Sequence, residues 1–225
     1  MHIPDGYLGP TTCGFFYAVM VPIWGFASRV AKKTLNLKQV PLLGISAAFC
    51  FAIMMFNVPI PGGTTGHAVG GVLVAILLGP WMACIAITVA LVMQAFLFGD
   101  GGITAIGANC FNMAFVMPFV GYYAYRLISG NAPGDSGRRV TAAAIGAYLG
   151  LNASALVTGI EFGLQPLLYH TADGKALYSP YGLGVSVPAM AGEHLLIFGF
   201  VEALVTALVL KYIQKQDSSL IHTGK

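Results

Sequence analysis

The first two residues of the chain, Met1 and His2, carry three nitrogen donors within chelating distance of one another. The Met1 amine, the deprotonated backbone amide nitrogen of His2 and the His2 Nδ1 atom close fused five- and six-membered rings on one metal ion. Three nitrogens then share a plane, and its fourth corner stays open. Square-planar nitrogen coordination suits Ni(II) and Cu(II), whereas Zn(II) prefers a tetrahedron. The pair therefore predicts a planar metal site that needs one more ligand.

The amine can take part only if Met1 remains at the N-terminus of the mature protein. Methionine aminopeptidase requires a small second residue, and His2 is large, so we expect Met1 to be retained. The first Lys or Arg is Arg29, so no basic segment precedes the first apolar run. We therefore expect no cleaved signal peptide.

His67 is the candidate for the fourth corner. It follows the Pro/Gly-rich segment 58–66, whose glycines permit sharp bends into a site. We expect Thr64 or Thr65 to cap the helix that carries His67. Either histidine alone is more often an exposed or packed residue than a ligand. Metal binding becomes the favoured interpretation only if both lie on one face of the molecule.

The composition indicates that this protein is surrounded by lipid and not by water. Of 225 residues, 57% are hydrophobic and only 8% are charged, whereas soluble domains carry roughly 25% charged residues. This excludes a soluble, a disordered or a nucleic-acid-binding protein, and the net charge of +3 is no nucleic-acid signal. The sequence predicts an all-α integral membrane protein, formed by a single transmembrane domain over 1–225.

Apolar runs of about 20 residues, separated by turn residues, predict a bundle of seven transmembrane helices. The predicted spans are 11–30, 41–57, 67–78, 81–98, 103–128, 140–160 and 188–213. The alternative is one long tilted helix over 67–98. Charge favours seven spans, because an outside N-terminus then places all of the 11 Lys and Arg residues except Lys175 on the cytoplasmic side.

With this topology the C-terminus is cytoplasmic, and three polar segments share the outer face. These are the N-terminal metal-binding segment 1–8, the metal-site loop 58–66 and the loop 161–187, and Asp100 is expected on the same face. Such an arrangement is typical of a site that is loaded from outside.

Four motifs resemble one known family. They are Met-His-Ile-Pro-Asp-Gly-Tyr-Leu at 1–8, Pro-Gly-Gly-Thr-Thr-Gly-His at 61–67, Gly-Ala-Asn-Cys-Phe-Asn-Met-Ala at 107–114 and Gly-Phe-Val-Glu-Ala-Leu-Val-Thr at 199–206. Together they resemble the substrate-binding (S) components of energy-coupling-factor nickel and cobalt transporters, the NikM/CbiM family. The resemblance covers essentially the whole chain.

The resemblance carries a ligand set over to this sequence: Met1, His2 and His67. It also implies that Asp5 anchors the N-terminal segment. Oxygen-bearing residues that could hold the metal-bound imidazoles, or could equally form inter-helical hydrogen bonds, are Thr65, Gln94, Asn109 and Asn112. Glu202, an intramembrane carboxylate, is either part of the packing or part of docking.

The family also implies partners. These are a membrane-embedded coupling (T) component, two ATPase subunits and, in some members, a further small two-span membrane subunit. ATP hydrolysis is expected in the partners, because no G-x-x-x-x-G-K-[ST] loop occurs here. Docking is expected on a small-residue face formed by Gly44, Ala48 and Ala52. The expected location is the cell membrane of a prokaryote.

Three alternatives stay open. Cobalt instead of nickel would use the same mechanism, although amide deprotonation and a square plane favour Ni(II). An intramembrane metalloenzyme would need an open coordination position and a general base, which a plane filled by protein nitrogens does not offer. A channel-like or purely structural membrane protein is the third.

Overall fold

The computed structural model describes residues 1–35, 39–60, 64–217 and 220. The predicted bending of the outer loop at Gly62 and Gly63, and the placement of Lys38 and Lys225, concern positions outside these ranges. The tail residue His222 also lies outside them.

Helices form along the apolar runs of the sequence. Their bounds are α1 Pro10–Thr34, α2 Gln39–Met54, α3 Gly71–Leu78, α4 Pro80–Phe98, α5 Ile106–Asn109, α6 Met117–Ser129, α7 Gly137–Leu168, α8 Leu183–Glu193 and α9 Gly199–Asp217. Two π-helical segments, π1 Cys110–Val116 and π2 His194–Phe198, join α5 to α6 and α8 to α9. Within the described residues the helical elements therefore form seven continuous rods.

Four of these rods are long and apolar enough to cross a bilayer. They are Pro10–Thr34, Pro80–Phe98, Gly137–Leu168 and Leu183–Asp217. Helix α2 is apolar but shorter. Large apolar side chains are exposed along α1 and α9, including Phe15, Val21, Leu204 and Leu208. The chain is an all-α membrane protein, apart from one small hairpin.

That hairpin occupies the predicted outer loop. Strand β1 (Val58–Ile60) pairs antiparallel with β2 (Thr64–Gly66). The predicted helix cap at Thr64 or Thr65 is wrong, because both residues belong to β2 and the residue that caps α3 is Gly70. His67 therefore lies four positions before the first residue of α3, Gly71, outside regular secondary structure and not at the start of a helix.

Helix α3 is separate from α4, and the two do not form one long helix over 67–98. Gly79, with φ of 87°, breaks the chain between them. Eight residues span only about 12 Å of helix, so the non-helical residues before α3 make up part of the buried segment. Residues 66–80 are all buried. Non-helical backbone at membrane depth is tolerated where protein surrounds it.

Glu202 supports this irregular segment. Its carboxylate, on α9, accepts hydrogen bonds from the backbone N–H groups of Val69 at 2.7 Å and Gly70 at 3.0 Å. Both N–H groups belong to the turn that leads from His67 into α3. A carboxylate at this place satisfies donors that a broken helix leaves free. Glu202 is therefore a packing element that holds the His67 segment.

The predicted loop 161–187 is too long at both ends. Helix α7 continues to Leu168 and α8 begins at Leu183, so the connection is 169–182. The predicted loop begins at Glu161 and includes Gln165, but both residues are buried inside the bundle. Glu161 accepts a hydrogen bond from Asn112 Nδ2 at 2.7 Å. A polar residue ends a span only when it faces lipid without a partner.

Candidate metal site

The N-terminal segment, residues 1–9, precedes α1 and is inserted into the end of the bundle. Met1 is only 3% exposed, and its side chain packs into the main hydrophobic core. Ile3 is fully buried in a neighbouring apolar cluster. Burial of alternate side chains fixes the segment, so the intervening His2 is held inside the protein.

Polar contacts fix the backbone of the segment as well. Asn109 accepts from the Ile3 N–H at 2.8 Å and donates through Nδ2 to the Ile3 carbonyl at 3.1 Å. The same carbonyl accepts from the Gly102 N–H at 2.8 Å. Further along, the Gly9 N–H donates to Gln165 Oε1 at 2.9 Å. All of these partners lie outside residues 1–9, so the contacts attach the segment to the rest of the bundle.

Asp5 lies at the outer surface of the segment. Its carboxylate accepts hydrogen bonds from the backbone N–H groups of Ile103 at 3.1 Å and Thr104 at 2.8 Å, and from the Thr104 hydroxyl. The Thr104 hydroxyl is the main reason why the pKa of Asp5 is lowered. These contacts place Asp5 where an anchor for the segment is expected.

The Met1 amine is buried and prepared to lose its proton. It donates to the Thr65 carbonyl oxygen at 2.7 Å. Burial lowers the pKa of the amine to about 6, against the opposing charges of Glu193 and Asp100. At neutral pH the amine is therefore largely neutral, with a lone pair available to a metal. Thr65 therefore contacts the amine through its backbone carbonyl and not through its hydroxyl.

The His2 ring has a defined tautomer. Its Nε2 lies 3.1 Å from Gln94 Oε1, an atom that only accepts hydrogen bonds, so Nε2 carries the proton. Burial, helped by the nearby N-terminal charge, lowers the pKa of His2 to about 3. The ring is therefore neutral, and its Nδ1 presents a lone pair. Among the described residues this Nδ1 has no hydrogen-bond partner.

His67 has the opposite tautomer, set in the same way. Its Nδ1 lies 3.1 Å from the Ala68 carbonyl oxygen and must be the donor. Its Nε2 is then a lone pair, buried and without a hydrogen-bond partner in the described part of the chain. Metal-binding histidines commonly donate their other N–H to a carbonyl or side-chain oxygen in this manner.

The two imidazoles lie together. Their ring centroids are 4.7 Å apart with an interplanar angle of 29°. In the ranges that the structure describes, no three or more His, Cys, Asp or Glu side chains gather as a metal site. The donors here are instead two imidazoles and main-chain nitrogens. Nitrogen donors that carry little charge fit a borderline divalent ion of the nickel, cobalt or copper type.

The structure separates two asparagines that look alike in sequence. Asn109 holds the N-terminal segment through Ile3, whereas Asn112 faces α7 and donates to Thr158 at 3.1 Å and to Glu161 at 2.7 Å. Asn112 therefore does not hold a metal-site imidazole. Asn112 lies on π1, and Pro118, which has no N–H to donate, follows in the first turn of α6.

Sequence reasoning missed Asp100 as a member of the site. Its Oδ1 lies 3.5 Å from His2 Nδ1, closer than any other carboxylate described. The signal was available in part, because Asp100 follows the same helix as Gln94 and precedes a pair of glycines. Gln165, which accepts from the Gly9 N–H, was missed as a support of the segment because it fell within the predicted loop 161–187.

Comparison with known proteins identifies the family of this chain. The model of the family described as "Cobalt uptake substrate-specific transmembrane region", CbiM, matches residues 2–220. The chain belongs to the CbiM/NikM family. This confirms the resemblance inferred from the four motifs.

Individual members of the CbiM/NikM family match over nearly the whole chain. A probable fused nickel transport protein LarMN of Lactiplantibacillus plantarum is 54% identical over 96% of this chain and 65% of its own length. A putative metal transport protein of Methanocaldococcus jannaschii is 54% identical over 96% of this chain and 92% of its own length. The chain thus spans just under two thirds of the fused relative.

A solved structure shares the fold. The crystal structure of a truncated transition metal transporter superposes with a TM-score of 0.92 at 55% identity. The match covers 96% of this chain and 99% of that chain. The CbiM/NikM assignment therefore has support from both sequence and fold.

Proposed function

We propose that this protein captures a nickel ion from outside the cell and is the substrate-specific component of an energy-coupling-factor transporter. The ligands in this proposal are the Met1 amine, the His2 amide nitrogen, His2 Nδ1 and His67 Nε2, in a square plane. Relatives named as nickel and metal transport proteins, and the family description of cobalt uptake, support transition-metal uptake rather than an enzymatic activity.

The observation that most directly supports this proposal is the pair of unpartnered imidazole nitrogens beside a buried amine. A buried polar nitrogen without a partner costs free energy, and two occur together at His2 and His67. A metal ion accepts both lone pairs at once. Gln94 and the Ala68 carbonyl accept from the other nitrogen of each ring, which leaves the lone pairs on His2 Nδ1 and His67 Nε2.

The membrane topology in this proposal has seven spans with the N-terminus outside. Residues Val30, Leu35, Gln39 and Gly79 line a cavity at one end of the bundle, whereas Met1, Thr65 and Asp100 line a cavity at the other. Lys32 and Lys33 end α1 at the first of these ends. Positive charge marks the cytoplasmic side, so the metal site faces outward.

Transport is driven by partners in this proposal. The exposed face of α2 formed by Gly44, Ala48 and Ala52 docks on the coupling component, which two ATPase subunits drive. A Cβ added at Gly44 would meet no heavy atom within 4 Å, so another helix can approach here closely. The further small two-span subunit is supported by the fused relative, of which this chain covers 65%.

Spectroscopy of the nickel-loaded protein tests the planar site, and competition between the two ions distinguishes nickel from cobalt. Protein with an unmodified N-terminus is loaded with nickel, and its metal content, absorption spectrum and magnetic moment are recorded. A four-nitrogen square plane with a deprotonated amide gives one equivalent of a yellow, diamagnetic, low-spin Ni(II) species. A paramagnetic species would reject the planar site. Tighter binding of Co(II) than of Ni(II) in competition would favour the cobalt alternative.

A further inference from the structure

Asp100 lies beside His2 Nδ1, the ring nitrogen that is proposed to bind the metal. The distance from its Oδ1 to His2 Nδ1 is 3.5 Å. The His2 side chain is 4% exposed, whereas the Asp100 side chain is 25% exposed. Asp100 is therefore more accessible to solvent than the His2 nitrogen beside it.

The turn that carries Asp100 is built to hold this position. Gly99 and Gly101, on either side of it, have φ values of 65° and 88°, which favour glycine. The Asp100 N–H donates to the Gln94 carbonyl at 3.2 Å. A Cβ on Gly101 would lie 3.3 Å from His2 Cδ2. The turn is thus packed directly against the His2 ring.

The gap between Asp100 and His2 holds no proton of the protein. Because Gln94 takes the His2 Nε2 proton, Nδ1 is a lone pair. A carboxylate oxygen is also an acceptor only. Two electron-rich atoms therefore face one another at 3.5 Å, and Nδ1 has no hydrogen-bond partner among the described residues. A cation between them is attracted by both.

A cavity in front of the pair gives such a cation room. Its volume is about 230 Å³, and its lining includes Met1, His2, Asn57, Thr65 and Asp100. A water molecule occupies about 30 Å³ in the liquid, so a divalent ion fits there with part of its hydration shell. Asp100 is the single carboxylate among the residues that are described as lining this cavity.

We infer that Asp100 forms an outer cation site, at which its carboxylate holds the hydrated divalent ion in this cavity and passes it to His2 Nδ1. The inference rests on the proposed function. A carboxylate oxygen is a harder ligand than imidazole nitrogen, so the ion leaves it readily for the four nitrogens behind. Fixed negative charge at a site mouth raises the association rate and makes it depend on salt.

The test follows nickel binding by stopped-flow absorbance in wild type, Asp100→Asn and Asp173→Asn at several ionic strengths. Asn keeps the shape of the turn and removes one charge. Asp173, exposed in the connection 169–182 that contacts Tyr7, provides the matched control. We expect association with Asp100→Asn to be about tenfold slower and less dependent on salt. Asp173→Asn should match wild type, and all final spectra should be the same.

Three results would overturn the outer site. One is an Asp100→Asn rate and salt dependence equal to those of Asp173→Asn. Another is an altered final spectrum in Asp100→Asn, which would make Asp100 part of the bound complex. The third is an Asp100→Glu protein as slow as Asp100→Asn, which would assign the effect to shape. Wild type without a planar nickel spectrum would instead reject the proposed function, and the outer site with it.

Discussion

The N-terminal segment 1–9 and the small-residue face of α2 differ in how far the rest of the chain buries them. The segment is inserted into the bundle, and Ile3 is completely buried with both of its backbone polar groups bonded. The face formed by Gly44, Ala48 and Ala52 is exposed along its whole length. One region has its partners within the chain, and the other has a surface left for partners.

The difference teaches how capture and delivery can be divided within one small protein. A metal site needs several donors fixed to within tenths of an ångström, so the chain surrounds the N-terminus with rigid elements. A docking face needs only close approach of another backbone, which small side chains permit. Substitutions in the two regions should therefore affect different measurements.

The largest effect is expected from an extension before Met1. A Gly-Ser extension turns the primary amine into an amide and must pass through the protein, because Met1 is 3% exposed. We expect the loss of nickel affinity to exceed the roughly 100-fold that loss of a supporting residue can cost. Isothermal titration measures it, with the same extension after Lys225 as control. An extended protein that binds one equivalent of nickel would contradict the proposed ligand set.

Replacement of His67 should have the next largest effect. His67→Ala opens one corner of the plane while the three N-terminal donors remain. We expect about 100-fold weaker binding and a changed absorption spectrum, because water replaces an imidazole. His170→Ala, in the exposed connection after α7, is the matched control. Unchanged affinity in competition titrations would exclude His67 as a ligand.

Acid should weaken binding in two stages. The amide must lose its proton at every pH, so affinity falls about tenfold per pH unit. Below pH 6 the Met1 amine, whose pKa is lowered to about 6, is protonated in the metal-free protein and must lose a second proton. His2, with a pKa of about 3, adds none in this range. The fall should therefore steepen to about 100-fold per unit.

Competition titrations between about pH 5 and pH 8 measure this slope. A pH-independent affinity would exclude the amide as a ligand. A single slope through pH 6 would exclude the amine.

The smallest effect on affinity is expected from the α2 face. Ala48→Leu adds bulk at an exposed position far from the metal-site residues in sequence, so nickel affinity should stay within about twofold of wild type. Metal uptake into cells that carry the partner subunits should fall, because the close approach is blocked. Ala18→Leu, at an exposed small residue of α1, is the control. Equal uptake by the two variants would show that this face does not dock.

The metal-site ligands illustrate what could be read without coordinates. The donor atoms of Met1, His2 and His67 are covalent properties of those residues, so the chelate can be worked out from their order alone. Their relation in space cannot be. The structure brings the two rings to 4.7 Å and sets their tautomers through Gln94 and Ala68.

The helices divide in the same way. Composition and hydropathy placed most rods to within a few residues, because an apolar run has few alternatives in a bilayer. They failed at Glu161, where a polar residue was assigned to a loop although Asn112 supplies its partner inside the bundle. They also failed at His67, since a buried segment without regular secondary structure has no hydropathy signal of its own.

By itself the sequence determined the solvent of this protein, its CbiM/NikM family and the nitrogen atoms offered to a metal. Only the tertiary structure decided which polar groups meet. Asn109 holds the N-terminal segment and Asn112 does not, Glu202 satisfies a broken helix, and Asp100 faces His2. The physical reason is that hydropathy reports the average environment of a residue, whereas a hydrogen bond or an ion site depends on one particular neighbour, often a hundred positions away.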